Sequence, residues 1–266
     1  MSTSRHAPPP APPPTTTSIA TSTTDDIFVR GKSLCSELIG GLSFTEMMCF
    51  TVLGVRPTPA QTAVIDACLV ALMEHGLTPS ALAARLVYSS AAEAMQGGVA
   101  AGLLAVGSVF VGTVEGCAEL VARIASAADP AAEAGRVVAE HRAARRPIPG
   151  FGHEQHTPDD PRTPRLFRLA RERGVAGRHI AAVELLSAAL DAALGKHITL
   201  NATGAVAAAL ADCGVPPAIM RGFALVTRCA GLVAHIHEEQ QKPAMRSIWA
   251  ASARAVPYDG SEGGET

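Results

Sequence analysis

Aromatic residues make up only 4% of this 266-residue chain, with one Trp, two Tyr and seven Phe. Its core must therefore be built from aliphatic side chains, and Ala and Leu recur at helical spacing throughout. Charge is also scarce, at 17% with a formal net charge of -2. That removes any general electrostatic attraction to nucleic acid or an anionic membrane. The six cysteines, Cys35, Cys49, Cys68, Cys117, Cys213 and Cys229, stand singly with no CxxC. Such spacing suits buried free thiols in a reducing, cytoplasmic setting better than a disulfide framework. Residues 1–24 are rich in Pro, Ser and Thr and lack the apolar stretch of a signal peptide, so disorder is expected there. Ala94 to Val114 carries no charge, yet it holds Gln96, Ser108 and five glycines (Gly97, Gly98, Gly102, Gly107, Gly112) and has no basic flank. It reads as a glycine-interrupted core helix rather than a membrane span, and no membrane association is expected.

What the chain does have is apolar content, 48%, arranged at three- and four-residue spacing. Ser43, with Glu46 three residues on, forms a capping box for a helix to Leu53. Further helices are expected over Ala60 to about His75, from Ser80 to Tyr88, and over Cys117–Ala127 and Ala131–Ala144. Pro164–Arg173, His179–Leu194 and Asn201 to about Asp212 follow, and Pro216 to about Gln241 reads as two more. No alternating strand pattern of useful length and no internal repeat appears, so the fold class is all-α.

One segment breaks the pattern. Ile148 to Arg162, IPGFGHEQHTPDDPR, packs two glycines, three prolines and two histidines together. Proline fixes φ and removes a donor, which excludes helix interior and central strand. The segment is a rigid, ionisable loop.

Gly150-Phe151-Gly152-His153 through Asp160-Pro161-Arg162 resembles the active-site loop of the citrate synthase superfamily. Other blocks agree in order: Arg30 to Thr58, Glu74-His75 ten residues before Arg85, Gly107 to Gly116, Asn201 to Gly204, and Thr227 to Glu239. The resemblance spans roughly residues 25–250 and is nearest to the short citryl-CoA lyase group. It implies a two-domain helical homodimer. The large domain would be assembled from 25–111 and 216–266, with a small domain at 112–215. It also implies small-molecule partners, a hydroxy or oxo dicarboxylic acid and a coenzyme A thioester as substrate, with no tightly bound cofactor.

By the same resemblance, His153 contacts the carbonyl or carbinol oxygen, His75 assists it, and Arg162 and Arg228 clamp carboxylates through planar forks. Asn201 contacts substrate and Arg246 reaches a partner's site in trans; Arg145 and Arg146, in the basic run with Arg142 next to the loop, suit either coenzyme A phosphates or a solvated helix end. Two positions depart from the family. Phe110 stands where an enol-stabilising histidine would be, and Thr203 where the carboxylate base would be. Losing an acid or base costs about 10²–10⁴-fold, which argues against citrate synthesis. Cleavage of citryl-CoA or a related 3-hydroxy-3-carboxyacyl-CoA begins differently, with removal of the hydroxyl proton. His153 would serve as base, and His156, Glu115, Thr203 or water as the later donor. A coenzyme A-independent decarboxylase or aldolase and a non-catalytic oxo-acid or coenzyme A-binding homologue are the alternatives.

Plainer readings stand beside each residue. His153 suits a structural or solvated histidine and His75 a helix C-terminal cap. Arg162 and Arg228 suit salt bridges, Phe110 core packing, and Thr203 a helix N-cap. His153-x-x-His156 and His235-x-His237-Glu238-Glu239 contain metal-ligand types. Residues two apart on a helix face different ways, however, and no metal is expected.

Overall fold

The structure, a computed structural model, describes residues 15–259, except for the side chains of Val109 and Phe110. The chain divides into two compact units, Met1–Pro57 and Thr58–Thr266.

The first unit opens with a small antiparallel sheet of β1 (Ala20–Ser22), β2 (Ile27–Val29) and β3 (Lys32–Ser33). Thr21 faces Phe28 in the β1–β2 register. The turn between them is closed by Thr23, whose Oγ1 accepts from the Asp26 N–H at 3.0 Å while its own N–H donates to the Asp26 carbonyl at 2.8 Å. The expected disorder of residues 1–24 is thereby corrected for 15–24, and the first fourteen lie outside the described residues. Composition misled because threonine, common in disordered tails, is also β-branched and pairs readily on a pleated ladder. After a π-helical turn at Leu34–Leu38, α1 (Phe44–Leu53) starts at the expected capping box. It ends at Gly54, whose φ of 77° suits only a residue without Cβ. Val29, Leu38 and Phe50 form this unit's small core.

The second unit is helical throughout: α2 (Pro59–Met73), α3 (Pro79–Ser90), α4 (Met95–Leu104), α5 (Thr113–Ala125), α6 (Pro130–Ala143), α7 (Arg162–Glu172), α8 (Arg178–Leu194), α9 (Ala202–Asp212), α10 (Pro217–Gln241) and α11 (Met245–Ala255). At its centre lies α9, whose small residues, ATGAVAAALAD, are nearly all buried. Such side chains let α2, α5, α7 and α8 approach it closely.

Three boundaries differ from the sequence reading. The segment 94–114 is glycine-interrupted as expected, but it is not the buried core helix of the sequence reading: only Gly98 and Gly102 of α4 are buried and Leu104 is exposed, and the helix stops at Leu104 and turns through a π-helical stretch at Gly107–Val111. A Cβ at Gly102 would lie 2.7 Å from Leu232 Cδ1, so the glycine admits α10. Instead of two helices, α10 is one continuous helix of 25 residues. Gly231 within it is a contact residue rather than a break, because a Cβ there would sit 2.2 Å from the Met73 carbonyl oxygen. The last helix, α11, was not anticipated at all.

Candidate active site

The loop Ile148–Arg162 is held from beneath by backbone. Gly152 N–H donates to Thr199 O at 2.8 Å and Asn201 N–H to Gly150 O at 3.0 Å. At Gly150, with φ 87°, an added Cβ would lie 2.7 Å from Cys117 Sγ and 2.8 Å from Gly204 Cα. The loop therefore lies directly on the starts of α5 and α9. Its far end is fastened by Asp160, which is fully buried. Asp160 accepts from Arg162 Nε at 2.9 Å, Arg162 Nη2 at 2.8 Å, and the backbone N–H groups of Arg162 and Ala202 at 3.1 and 2.9 Å. Burial pushes its carboxyl up, but the bonds from Arg162 outweigh that and hold it at about 2.

Three imidazoles gather above this base. His153 lies 4.3 Å from His156 and 5.5 Å from His75, ring centre to ring centre, and His75 lies 5.4 Å from His156. Nε2 of His75 is 3.3 Å from Nε2 of His156. Burial, then the neighbouring Arg162 guanidinium, lowers His75. Burial, then His156, lowers His153. Both are neutral at pH 7. The His153 tautomer follows from its contacts, because Nδ1 accepts the backbone N–H groups of Gln155 and His156, each at 3.0 Å. The ring proton is therefore on Nε2, which faces outward as a donor. This corrects the expectation of His153 as base: two fixed N–H groups oppose the tautomer a base would need.

Arg228, on α10, is only 7% exposed. Its Nε and Nη1 have no hydrogen-bond partner among the described residues. The nearest carboxylate oxygen, Glu74 Oε2, is 4.0 Å from Nη1. Desolvation lowers the Arg228 pKa, and an unpaired buried guanidinium is costly. Arg162 is the opposite case. Nε and Nη2 of its fork are occupied by Asp160, which leaves outer N–H groups rather than an open bidentate fork.

The positions of Asn201 and Thr203 are joined. Asn201, not Thr203, caps α9, accepting from Gly204 N–H at 3.2 Å, while its Nδ2 donates to Gly152 O at 2.9 Å. Thr203 donates to Asn201 Oδ1 at 2.6 Å, so across the 3.0 Å contact between hydroxyls Thr113 is the donor. Glu115, expected as a possible proton donor, is instead paired with Arg221 at 2.6 Å.

Arg145 and Arg146 are exposed at the end of α6, and Arg246 is exposed on α11. The Phe110 side chain lies outside the described residues. Residues the sequence reading passed over include Asp160, which holds Arg162, and separately Glu74, Arg85 and His235 as a connected polar set. Their signal was present in Glu74-His75 and in His235-x-His237-Glu238-Glu239, but their pairing across α3 and α10 was not.

Ring nitrogens of His75, His153 and His156 lie within 4.8 Å of one another, close enough to share a cation. The surroundings favour an anion instead. The Arg162 guanidinium depresses both His75 and His153, and the unpaired Arg228 lies next along Glu74. Neutral imidazole donors beside an unmatched guanidinium form a receptor for an oxygen-rich anion.

Comparison with known proteins shows what the chain is similar to. The family profile described as "Citrate synthase, C-terminal domain" matches residues 19–249. A Mycobacterium tuberculosis protein named "Putative citrate synthase 2" is 32% identical over 193 residues, covering 70% of this chain and 50% of that protein. The chain thus spans about half the length of the curated relatives it matches. Citryl-CoA lyase from Hydrogenobacter thermophilus superposes with a TM-score of 0.84 at 33% identity, covering 94% of this chain and 96% of that one. ATP citrate lyase from Methanosaeta concilii, solved with (3S)-citryl-CoA, gives 0.79 at 18% identity, over 96% of this chain and 43% of that one, a likeness of fold.

Proposed function

We propose a function from one premise: the chain belongs to the citrate synthase family. Within it, the site supports a carbon–carbon lyase that cleaves citryl-CoA or a related 3-hydroxy-3-carboxyacyl-CoA. The products are acetyl-CoA and an oxo acid such as oxaloacetate. The observation that carries this reading is Arg228, a buried guanidinium whose Nε and Nη1 have no hydrogen-bond partner among the described residues, close to Glu74, which precedes His75 in the chain. A substrate carboxylate satisfies it. The fit along nearly the whole length of a citryl-CoA lyase supports the same reaction.

Cleavage breaks the bond between the carbinol carbon and the α-carbon of the thioester. The carbinol proton leaves and its oxygen becomes a ketone. The electron pair of the broken bond becomes the acetyl-CoA enolate, which takes a proton at carbon. In this scheme His153 Nε2–H hydrogen-bonds the carbinol oxygen, and the carbinol proton passes to the His75–His156 pair, whose Nε2 atoms are 3.3 Å apart. Thr203 holds a hydroxyl where the family places its carboxylate base. A neutral hydroxyl is too weak an acid or base to exchange that carbon-bound proton, so in this scheme the enolate takes its proton from water or the protonated His75–His156 pair. Exposed Leu104 and Trp249 support a homodimer in the same proposal.

The test is incubation with citryl-CoA and a panel of hydroxyacyl-CoAs, with both products read by mass spectrometry. Equal amounts of acetyl-CoA and oxaloacetate are expected, and His153→Ala should cut turnover about 10²–10⁴-fold with the fold intact. Absence of cleavage across the panel, or full activity of His153→Ala, overturns the assignment.

A further inference from the structure

Glu74 is the first residue beyond α2, and its two carboxylate oxygens are treated differently. Oε1 receives three donors: the backbone N–H groups of His75 at 2.9 Å and Gly76 at 2.6 Å, and Nε2 of His235 at 2.9 Å. Oε2 receives none of these and stops 4.0 Å from Arg228 Nη1. That separation lies within Coulombic reach and outside hydrogen-bonding distance. A carboxylate free to move beside an unpaired buried guanidinium would close onto it as a two-bond fork. Here it is held back.

The restraint can be traced through the helices. An arginine nitrogen only donates, so the 3.1 Å contact from Arg85 Nε makes His235 Nδ1 an acceptor and leaves the ring proton on Nε2, aimed at Glu74. Arg85 cannot turn away. It is 3% exposed, bonds Glu239 Oε2 at 2.9 Å and contacts Glu238 as well. The chain Glu239–Arg85–His235–Glu74 thus runs from α3 and α10 to the edge of the site.

We propose that Glu74 is a positioning residue: a counter-charge for Arg228 that is tethered by His235 so that it does not occupy the arginine's fork. The tether keeps Arg228 buried yet open to the substrate carboxylate. Without it, Glu74 falls onto Arg228 and competes with substrate. This inference rests on the reading that Arg228 receives that carboxylate.

The experiment is calorimetric titration of oxaloacetate into the full chain and into His235→Ala, Glu74→Gln and the double variant, with melting temperatures recorded for each. His235→Ala should weaken binding about tenfold, as expected for neighbours that share one network. Glu74→Gln keeps the acceptor oxygen but removes the charge, and it should bind at least as tightly as the unaltered chain. In the double variant affinity should return to within about twofold of Glu74→Gln alone. A purely structural role for His235 predicts that the loss persists in the double variant, and that result overturns the proposal. So does a tenfold loss in Glu74→Gln. If His235→Ala does not fold, His235→Asn gives the same readout, since it can accept from Arg85 but is too short to reach Glu74. Arg228→Met separates the two levels. Unchanged oxaloacetate binding in that variant overturns the carboxylate reading of the site, whereas lost binding with additive Glu74 and His235 effects overturns the tether alone.

Discussion

Arg162 and Arg228 bring the same guanidinium to one site, and the fold treats them in opposite ways. On the loop, Arg162 closes a two-bond fork with Asp160, and Asp160 takes two backbone N–H groups besides. On α10, Arg228 is buried, with its nearest carboxylate held at 4.0 Å. The first arrangement is complete without a ligand and makes the loop rigid. The second is incomplete, because Nε and Nη1 of Arg228 have no hydrogen-bond partner among the described residues, and in the proposed function that is where the substrate carboxylate binds. Preorganisation and recognition are therefore divided between two arginines, so each can be perturbed separately.

The largest effect should come from breaking the complete pair. Asp160→Asn removes the carboxylate that closes the fork with Arg162, and should destabilise the protein by about 3–5 kcal/mol in denaturant unfolding at neutral pH. The pH dependence carries the same information. Asp160 sits at about 2, below its ordinary 3.8. Its contribution is thus complete above about pH 4 and is lost as pH falls towards 2, to the extent of about 2 kcal/mol. Between pH 7 and pH 3 the parent chain should lose about 1 kcal/mol more stability than Asp160→Asn, with the difference growing towards pH 2.

Next comes the open arginine. Arg228→Lys keeps the charge but loses the planar fork, so oxaloacetate affinity should fall by about 1.5–3 kcal/mol in calorimetry. Arg162→Lys should cost less than about 1 kcal/mol of affinity while lowering stability, because its fork already faces Asp160. Equal affinity losses at both positions would erase the distinction between the two arginines. A smaller effect is expected at Gly150→Ala, where a positive φ and a 2.7 Å approach to Cys117 Sγ both oppose a side chain. A loss of about 1–2 kcal/mol in stability should lower the melting temperature.

Much of this molecule was legible before its structure. The capping box at Ser43 and Glu46, the proline-broken loop, and the helices around α9 follow from spacing and local chemistry, which depend on near neighbours in sequence. The misreadings share one cause. Gly231 in α10 looks like a weak point locally, but it is the place where another helix comes closest. Thr21 looks like part of a solvated tail until Phe28 pairs with it. In each case the deciding partner lies elsewhere along the chain.

By itself, the sequence determined which chemical groups are present and roughly where helices begin: histidines on a rigid loop, arginines suited to carboxylates, and no carboxylate at position 203. Only the tertiary structure decided what those groups are free to do. Backbone N–H groups from Gln155 and His156 settle the His153 tautomer, Asp160 occupies Arg162, and Arg85 turns His235 towards Glu74. The reason is that protonation and hydrogen-bonding capacity depend on distances of a few ångströms between segments such as Arg85 and His235, far apart in sequence, and residue spacing along the chain carries no record of those distances.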